Sequence, residues 1–336
     1  MIDFQIIFIV GSSRSGTTMM GRILANNSNV FTFKELHFFN ILSKSNFYNK
    51  LSIDESIVLL AKLLCVQDNS IFEVNRYKNY LFQAREILPN KQFTSFGIYN
   101  FFINHTLKIN NKTIACLQTP NNIHFLNDIN KYFSNALIIN MVRDPRDVLL
   151  SQKNKWKRRF LGASKIPLFE AFRSYANYHP IITSKVLEAS LRKTLLLKHN
   201  HNFKIVFFEK FLNHSEETLK DICSFLSIEY SKEMLLVPLV GSSTENDLSN
   251  KLFLDKSKIF KWKKGGLNNA EIYLSELILK EYIIKFNYQT IKFKLFPLLL
   301  IFYFLTLPVK LLLSLLLNLY RKFNFFQFFK KLLFVK

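Results

Sequence analysis

An apolar run near the start of the chain leads directly into a loop of small and polar residues. The run covers residues 4–10, the loop reads GSSRSGTT over residues 11–18, and a helix-like stretch follows. The two glycines allow successive backbone N–H groups to turn inward, and the positive end of the next helix attracts an anion. The sequence therefore predicts a phosphate-cradling loop between a buried strand and a helix.

The spacing GxxxxGTT is close to the GxxxxGK[ST] pattern of ATP-binding loops. Thr17 replaces the lysine that reaches the β- and γ-phosphates, Thr18 adds a hydroxyl, and the loop's cation comes earlier, at Arg14. We therefore expect the loop not to bind ATP in the usual way. A nucleotide-dependent P-loop kinase remains an alternative, although no magnesium-binding acidic residue after a second strand is evident.

A second motif, VRDPRDV at residues 142–148, follows another apolar run. Asp144 suits a helix N-cap, Pro145 suits the first helical position, and Ser151 lies about two turns further on. This spacing places Arg143 and Ser151 on the same side. An arginine at a strand end and a hydroxyl on the next helix can together hold a phosphate dianion.

The two motifs, in this order, resemble the phosphate sites of sulfotransferases that use 3'-phosphoadenosine 5'-phosphosulfate (PAPS). The first resembles the 5'-phosphosulfate loop and the second the 3'-phosphate site, and the resemblance extends over about residues 4–288. It implies that PAPS is the sulfuryl donor and that these residues bind it: Ser13, Arg14, Ser15, Gly16, Thr17, Thr18, Arg143 and Ser151.

Two later stretches also match the family. Residues 205–209 followed by Phe225 and Leu226 resemble a late strand and helix, with a role that is mostly packing. The SST run and the lysine before Trp262 resemble the closing segment of protein-tyrosine sulfotransferases and their bacterial relatives. That resemblance implies that Ser243 and Lys261 contact the cofactor, while an exposed polar loop stays open as the other interpretation.

The stretch KELHFF supplies a candidate base. In glycan and tyrosine sulfotransferases a glutamate at a similar distance from the loop is the catalytic base, which implies that role for Glu35. By analogy with phosphoryl transfer, a cation should stabilise charge at the leaving oxygen, and Arg14 is the candidate. Desolvation by the following phenylalanines is expected to raise the pKa of Glu35. His37 is expected to hold the substrate or Glu35, or else to be a half-buried structural histidine. Glu35 could alternatively be a surface carboxylate paired with Lys34.

One position departs from the family pattern. Relatives often have a lysine before the TP or DP dipeptide, where it stabilises the departing oxygen, but this chain has Gln118 before Thr119 and Pro120. Glutamine supplies no charge. Either another cation compensates for the missing positive charge, with Lys34 and Lys112 as candidates, or the protein is a slow or degenerate enzyme. A catalytically inactive, membrane-tethered nucleotide-binding protein is therefore a further alternative.

Strand-like runs alternate with longer helical patterns along the first 288 residues. The pattern predicts an α/β fold with a P-loop-like parallel sheet flanked by helices. Residues 1–288 are expected to form one sulfotransferase domain, in which a largely helical segment, 52–107, covers the acceptor side. The strand-like runs cover residues 4–10, 113–117, 136–142 and 203–208.

The composition changes after residue 288. Residues 289–336 contain eight Lys or Arg and no acidic residue, with nearly uninterrupted apolar runs. Five apolar residues near the end recur at the spacing of one helix face, which predicts a membrane-associating tail over residues 292–336 rather than nucleic-acid binding. Pro297, Pro308 and the basic residues beyond them favour in-plane attachment over crossing. The five residues are Phe325, Phe326, Phe329, Leu332 and Leu333.

The three cysteines are dispersed without CxxC spacing, so neither a disulfide framework nor a zinc site is indicated. No histidine cluster suggests a metal, and the family's chemistry requires none. The early first strand leaves no room for a signal peptide. We therefore expect a cytoplasmic location, on a membrane face, and a hydroxyl-bearing acceptor such as a glycan, a lipid or a small alcohol.

Overall fold

The computed structural model describes residues 4–43, 47–291 and 297–318. Its centre is a five-stranded sheet in the order β2-β3-β1-β4-β5, in which all neighbouring strands are parallel. The predicted fold class is therefore confirmed. The strands are β1 (Gln5–Gly11), β2 (Val30–Phe33), β3 (Ile114–Gln118), β4 (Leu137–Val142) and β5 (Phe203–Phe207).

The edge strand β2 is an element that the sequence analysis did not predict. It has four residues, VFTF, and pairs with β3 through all four. Such a short run is too brief to show alternation or a long apolar stretch, so its strand conformation depends on the neighbouring strand. Its position matters because the residues that follow it begin the stretch that carries Glu35.

Helices cover both faces of the sheet. Eight of the twelve described α-helices precede β5 along the chain, and four follow it. In chain order they are α1 (Thr17–Ala25), α2 (Ile53–Asp68), α3 (Leu81–Ile87), α4 (Ser95–Ile109), α5 (Leu126–Tyr132), α6 (Pro145–Lys153), α7 (Leu168–Ala176), α8 (Pro180–Leu197), α9 (Phe208–Asn213), α10 (Ser215–Leu226), α11 (Asn269–Lys285) and α12 (Pro297–Leu317). A small antiparallel pair, β6 (Pro238–Leu239) and β7 (Leu248–Leu252), lies beside the sheet.

The core has two main layers, one on each face of the sheet. In β1, Ile6 and Phe8 belong to the layer shared with α2 and α4, whereas Ile7 and Ile9 belong to the layer shared with α1 and α10. All four are nearly inaccessible to solvent. A parallel strand that is buried on both faces reads as a continuous apolar run, which explains why β1 is so evident in the sequence.

The predicted start of α6 is confirmed. Asp144 is the N-cap and accepts a hydrogen bond from the backbone N–H of Arg146 (2.9 Å), and Pro145 occupies the first helical position. A capping carboxylate and a proline without an N–H both suit a helix start, where backbone donors lack partners. The cap fixes the direction in which α6 leaves β4.

The last described helix, α12, is the one described helix long and apolar enough to cross a membrane by length and composition. Its mean hydropathy is 2.2, and none of its most apolar window is buried. It packs against α7 and α8. The amphipathic pattern predicted for Phe325 to Leu333 lies outside the described residues.

Candidate active site

A pocket of about 480 Å³ opens at the carboxyl ends of the strands. Each of the five strands of the sheet is followed by a residue that lines it: Ser13, Lys34, Pro120, Arg143 and Phe208. In open parallel sheets, ligands bind in the crevice outside the carboxyl ends, where the strand order reverses. Here the reversal lies at β1, so the predicted phosphate loop occupies this position.

The loop backbone requires its two glycines. Gly11 has φ +138°, and a Cβ added there would lie 2.4 Å from the carbonyl oxygen of Met141. Gly16 has φ +96°, and an added Cβ would lie 2.6 Å from the ring of Phe208. A side chain at either position would combine an unfavourable backbone conformation with a collision. Arg14 also adopts a positive φ, of 78°.

Most of the predicted loop residues line the pocket. Arg14, Gly16 and both threonines do so together with Ser13. Ser15 is not among the lining residues: it is 1% exposed, and its backbone N–H donates to the carbonyl of Ser12 (3.2 Å), which closes the loop on itself. Its contribution is to the shape of the loop.

The structure brings the predicted 3'-phosphate residues together. The Ser151 hydroxyl accepts a hydrogen bond from Nε of Arg14 (2.9 Å) and lies 2.9 Å from the Ser243 hydroxyl. Arg143 donates through one terminal nitrogen to the Arg14 carbonyl (3.3 Å). Nε of Arg143 is buried without a hydrogen-bond partner among the described residues. The cluster therefore combines two guanidinium groups with two hydroxyls, which suits an anion.

Lys261 lies at the rim of this cluster. Its Nζ donates to the Thr244 hydroxyl (2.7 Å) and forms an ion pair with Glu245, which Lys258 also contacts. Hydrogen bonds from both lysines, working against partial burial, lower the pKa of the Glu245 carboxyl. Glu245 was missed in the sequence analysis. It neutralises part of the charge that Lys261 brings to the pocket.

A buried ionic network supports the start of α6, next to the cluster of Arg14, Arg143, Ser151 and Ser243. Arg146 is 1% exposed and contacts Oδ2 of Asp144 (2.8 Å) and Oε1 of Glu276 (2.6 Å). Its guanidinium lies 4.0 Å from the centre of the Trp262 ring, and the Trp262 backbone N–H donates to Asp147 (2.9 Å). The network joins the start of α6 to the closing segment. No local sequence pattern indicates this network, because Glu276 lies 130 positions from Arg146.

Glu209 also supports the start of α6. It accepts a hydrogen bond from the Asp144 backbone N–H (2.8 Å) and another from the Tyr288 hydroxyl (2.9 Å), and it is 7% exposed. Burial raises the pKa of this carboxyl, although the hydrogen bonds oppose the shift. The segment was predicted to serve mostly in packing. Its glutamate instead fixes the turn that carries Arg143.

Glu35 lies beside the phosphate loop. Its Oε1 is 3.5 Å from the Thr18 hydroxyl and its Oε2 is 3.4 Å from Nε2 of His37. His37 lines the pocket too and adopts a positive φ of 51° at the start of a short π-helical turn, Phe38–Leu42. Two of the three predicted catalytic side chains, Glu35 and His37, are therefore in contact. The next residue along the chain, Phe38, turns into the core.

The pKa of Glu35 contradicts our expectation. Burial raises the pKa, but the hydrogen bond and charge of His37, with Lys155 and Arg14, outweigh it, and the net shift is downward. Phe38 and Phe39 are 1% exposed within the aromatic core. Glu35 is therefore ionised at neutral pH and able to accept a proton.

Four arginines line the pocket: Arg14, Arg22, Arg143 and Arg158. Burial, together with repulsion from Arg158 and Arg143, lowers the pKa of Arg14 to about 10. Burial and Arg158 lower the pKa of Arg22 as well. Sequence analysis missed Arg22 and Arg158. Arg22 lies one helical turn beyond Thr18, a spacing that could have indicated it. Concentrated positive charge favours a multiply charged anion.

Of the two lysines proposed to compensate for Gln118, only Lys34 lines the pocket. Lys34 lines the pocket, but its Nζ donates to the Asp68 carbonyl (2.5 Å). Lys112 donates to the Ser28 carbonyl (2.5 Å) and is not among the lining residues, so it does not supply charge there. Gln118 is 7% exposed and packs under α1 at Gly21. Four arginines also bring positive charge to the pocket, as do Lys258 and Lys261, which are paired with Glu245.

Within the described parts of the chain, no group of three or more His, Cys, Asp or Glu could hold a metal ion. Cys65, Cys116 and Cys223 are free and buried. Burial raises the pKa of the Cys116 thiol to about 12. The polar groups that line the pocket include arginines, hydroxyls and the Glu35 carboxylate.

Known proteins resemble this chain in sequence and in fold. It is 31% identical to rat sulfotransferase 2A1 over 137 residues, 38% of this chain and 46% of the relative. A second rat relative, sulfotransferase 2A2, is 26% identical over 41% of this chain and 50% of its own length. The matches thus span about half the length of these curated relatives.

Two solved structures share the fold. The sulfotransferase domain from the curacin biosynthetic pathway has a TM-score of 0.50 and 17% identity, covering 85% of this chain and 99% of its own. The sulfotransferase domain of the Synechococcus PCC 7002 olefin synthase has a TM-score of 0.51 and 19% identity, with coverages of 85% and 96%. The profile of the Sulfotransferase family matches residues 6–232. With more than half of its length matched by that profile, the chain belongs to the sulfotransferase family.

Proposed function

We propose that this protein transfers a sulfuryl group from PAPS to the hydroxyl of an acceptor. One observation carries the choice of donor: the pocket contains a second anion cluster beside the phosphate loop. Arg143, Ser151 and Ser243 form that cluster, and the Arg14 side chain links it to the loop. ATP has no phosphate on its 3' position, whereas PAPS has one. A donor with phosphates on both sides of the ribose therefore suits the pocket better.

Glu35 is the proposed general base. In the reaction an acceptor oxygen forms a bond to sulfur while the bond between sulfur and the 5'-phosphate oxygen breaks, and the acceptor hydroxyl loses its proton. Glu35 contacts Thr18 of the loop and is kept ionised by His37 and nearby cations. These contacts support the proposal that Glu35 takes that proton, and His37 is proposed to orient it.

The pocket arginines are proposed to stabilise the departing nucleotide. Charge develops on the leaving oxygen in transfers of this kind, and fixed cations near it lower the barrier. Arg14 belongs to the loop itself, and Arg22 and Arg158 line the same pocket. We propose that these arginines replace the lysine that relatives have at the position of Gln118. Their presence argues against an inactive nucleotide-binding protein.

Membrane attachment is part of the proposal. Residues 292–336 are proposed to hold the protein on the cytoplasmic face of a membrane without crossing it. Supporting this, α12 is long and apolar, and the tail contains basic residues without acidic ones. Basic segments next to apolar helices gain affinity for anionic lipid.

Nucleotide specificity tests the proposal. Adenosine 3',5'-bisphosphate is expected to raise the melting temperature of the full-length protein, and ATP with magnesium is expected to have little effect. The reverse result would favour a P-loop kinase. Mass spectrometry of metabolites from expressing cells should then show sulfated products that are absent with the Glu35→Gln variant. Bisphosphate binding without any sulfated product would instead support the inactive nucleotide-binding protein.

A further inference from the structure

The polar residues of α12, Tyr303, Thr306, Lys310 and Ser314, all lie on the side that faces the protein, where leucines accompany them. The Tyr303 hydroxyl accepts a hydrogen bond from Asn268 (2.9 Å), and Asn318, just past the end of the helix, accepts one from Arg173 (2.7 Å). Between them, Lys310 donates to a backbone carbonyl of α7 (3.3 Å). Positions 303, 310 and 318 recur at close to helical spacing. The helix is therefore attached to the domain along one polar stripe.

The side of α12 that faces away is apolar. All of its exposed residues are apolar, and examples are Leu298, Ile301, Phe302, Leu305, Val309 and Leu312. A surface helix of a protein in water shows the reverse arrangement, with its apolar stripe inward and its polar side outward. The inverted pattern indicates that an apolar phase covers the outer side.

The neighbouring helix α7 extends this apolar surface. Leu168, Phe172 and Tyr175 recur on one face of α7 and are 62%, 57% and 58% exposed. We call these three residues and the outer side of α12 the apolar platform. Contiguous apolar patches of this kind mark interaction surfaces with proteins or membranes.

Charge and geometry select a membrane as the partner. The chain carries a net charge of +22, so a second copy would be repelled, whereas anionic lipid would be attracted. The polar contacts run from residue 303 to 318, about 22 Å at 1.5 Å per residue. A helix held against the domain over that length cannot cross a bilayer without carrying α7 into the hydrocarbon. The platform therefore fits the plane of the interface.

A smaller cavity lies on the inner side of α7. Its volume is about 90 Å³, and Ala171 and Ser174 of α7 line one wall. Arg14, Arg158 and Phe72 line it as well, and all three also line the main pocket. A single helix thus separates the apolar platform from the candidate catalytic residues.

We propose that the platform lies in the plane of an anionic bilayer and that the acceptor is an alcohol dissolved in that bilayer. Its hydroxyl reaches Arg14 through the smaller cavity, and Glu35 from there through the main pocket, which shares Arg14, Arg158 and Phe72 with that cavity, while its apolar part stays beside α7. The acceptor role rests on the proposed sulfuryl transfer, whereas the docking of the platform does not.

Trp156 provides a native probe of the docking. Its ring lies 5.9 Å from Tyr175 of the platform, whereas the other tryptophan, Trp262, is 3% exposed within the domain. Vesicles of phosphatidylcholine and phosphatidylglycerol with brominated acyl chains are expected to quench the fluorescence of the full-length protein. Most of the quenching should disappear in Trp156→Phe, because Trp262 stays away from the lipid.

Phe172→Asp tests the role of α7. It is expected to lower binding to these vesicles by about tenfold or more, since a charge replaces an aromatic ring at the interface. Phe82→Asp is the matched control, because Phe82 is 78% exposed on α3 and outside the platform, and it should bind as the wild type does. Unchanged vesicle binding by Phe172→Asp would contradict the proposal that the apolar platform binds the membrane. A dimer that ignores vesicles and dissociates in this variant would assign the surface to a second copy.

A photoactivatable probe tests the entrance. Hexadecanol with a diazirine on the carbon chain close to its hydroxyl, dissolved in the same vesicles without bromine, is expected to label residues of the smaller cavity such as Ile166 and Ala171. Labelling confined to α12 would overturn the membrane-side entrance. Calorimetry with adenosine 3',5'-bisphosphate tests the donor site separately, and its failure would leave the vesicle results standing.

Discussion

The two ends of the active-site pocket are supported in different ways. At the phosphate end, Arg143 and Ser151 stand on a network whose central members, Arg146 and Trp262, are 1% and 3% exposed. At the acceptor end, the Glu35 side chain is 37% exposed, and its contacts with neighbouring side chains are longer, at 3.4 and 3.5 Å. One end is fixed by buried charge pairs, whereas the other is held by a few partly solvated contacts.

This difference has a physical consequence for specificity. Residues whose positions are locked by packing and buried hydrogen bonds hold a ligand in one geometry. We therefore expect the phosphate end to define one donor strictly. The acceptor end, with fewer constraints, can change its substrate through the residues around Glu35 without disturbing the donor site.

The largest expected effect comes from removing the buried arginine. Arg146→Met leaves Asp144 and Glu276 without their cation, and breaking a buried pair costs about 3–5 kcal/mol. Urea unfolding should show a loss of this size in the free energy of unfolding. Lys285→Met is the control, because its exposed ion pair with Glu281 contributes at most about 1 kcal/mol. Equal stability of the two variants would mean that the phosphate end is not fixed in this way.

The second effect concerns the proposed base. Glu35→Gln should reduce turnover by roughly a hundredfold or more while PAPS affinity stays nearly unchanged, because the carboxylate acts on the acceptor proton. Arg14→Ala should reduce both binding and turnover. Steady-state kinetics with calorimetry separates the two results. Near-normal turnover of Glu35→Gln would assign the base to another residue.

Nucleotide selectivity tests the phosphate end directly. Arg143→Ala should lower the affinity for adenosine 3',5'-bisphosphate by about tenfold or more. This is the loss expected when a charge-assisted hydrogen bond of about 1.5–3 kcal/mol is removed. Ser151→Ala should act in the same direction. Both should affect adenosine 5'-phosphate much less in calorimetry. Equal losses for the two nucleotides would contradict the 3'-phosphate assignment.

The pH profile tests the acceptor end. Because the pKa of Glu35 is lowered, kcat/KM should fall only as the pH drops below the ordinary carboxyl range. His37 is one cause of this lowering, so His37→Ala should raise the pKa and move the acidic limb to higher pH. The shift is read from kcat/KM measured across the acidic range. An unmoved limb would show that His37 does not act on Glu35.

Truncation is expected to have the smallest effect on nucleotide binding. Deleting residues 292–336 should leave a folded protein with unchanged affinity for adenosine 3',5'-bisphosphate, because α12 contacts α7 and α8 and not the pocket. Membrane binding should be lost, and activity on a membrane acceptor should fall. A full-length chain that stays soluble, or a truncated one that aggregates and loses nucleotide binding, would show that the tail belongs to the fold.

The features that sequence reasoning could reach are local ones. The strand, loop and helix around Gly16 and the cap at Asp144 are set by neighbouring residues, so their pattern is visible in the chain. Features that depend on distant partners were not visible: Glu276 meets Arg146 across 130 positions, and Arg158 reaches the pocket from a run of basic residues. The pKa of Glu35 belongs to the same class, because its direction depends on how several cations are arranged around it.

The ring of Phe208 has a consequence for how the pocket measures a nucleotide. One part of it lies against Gly16, where no side chain would fit, and the Arg143 guanidinium lies 4.4 Å from its centre. The phosphate loop and the 3' cluster therefore share a rigid spacer. Because neither site can move toward the other without displacing the ring, we expect the pocket to select a nucleotide by the distance between its two phosphates. Adapting it to a different nucleotide would require a change at Phe208 before any change in the charged residues.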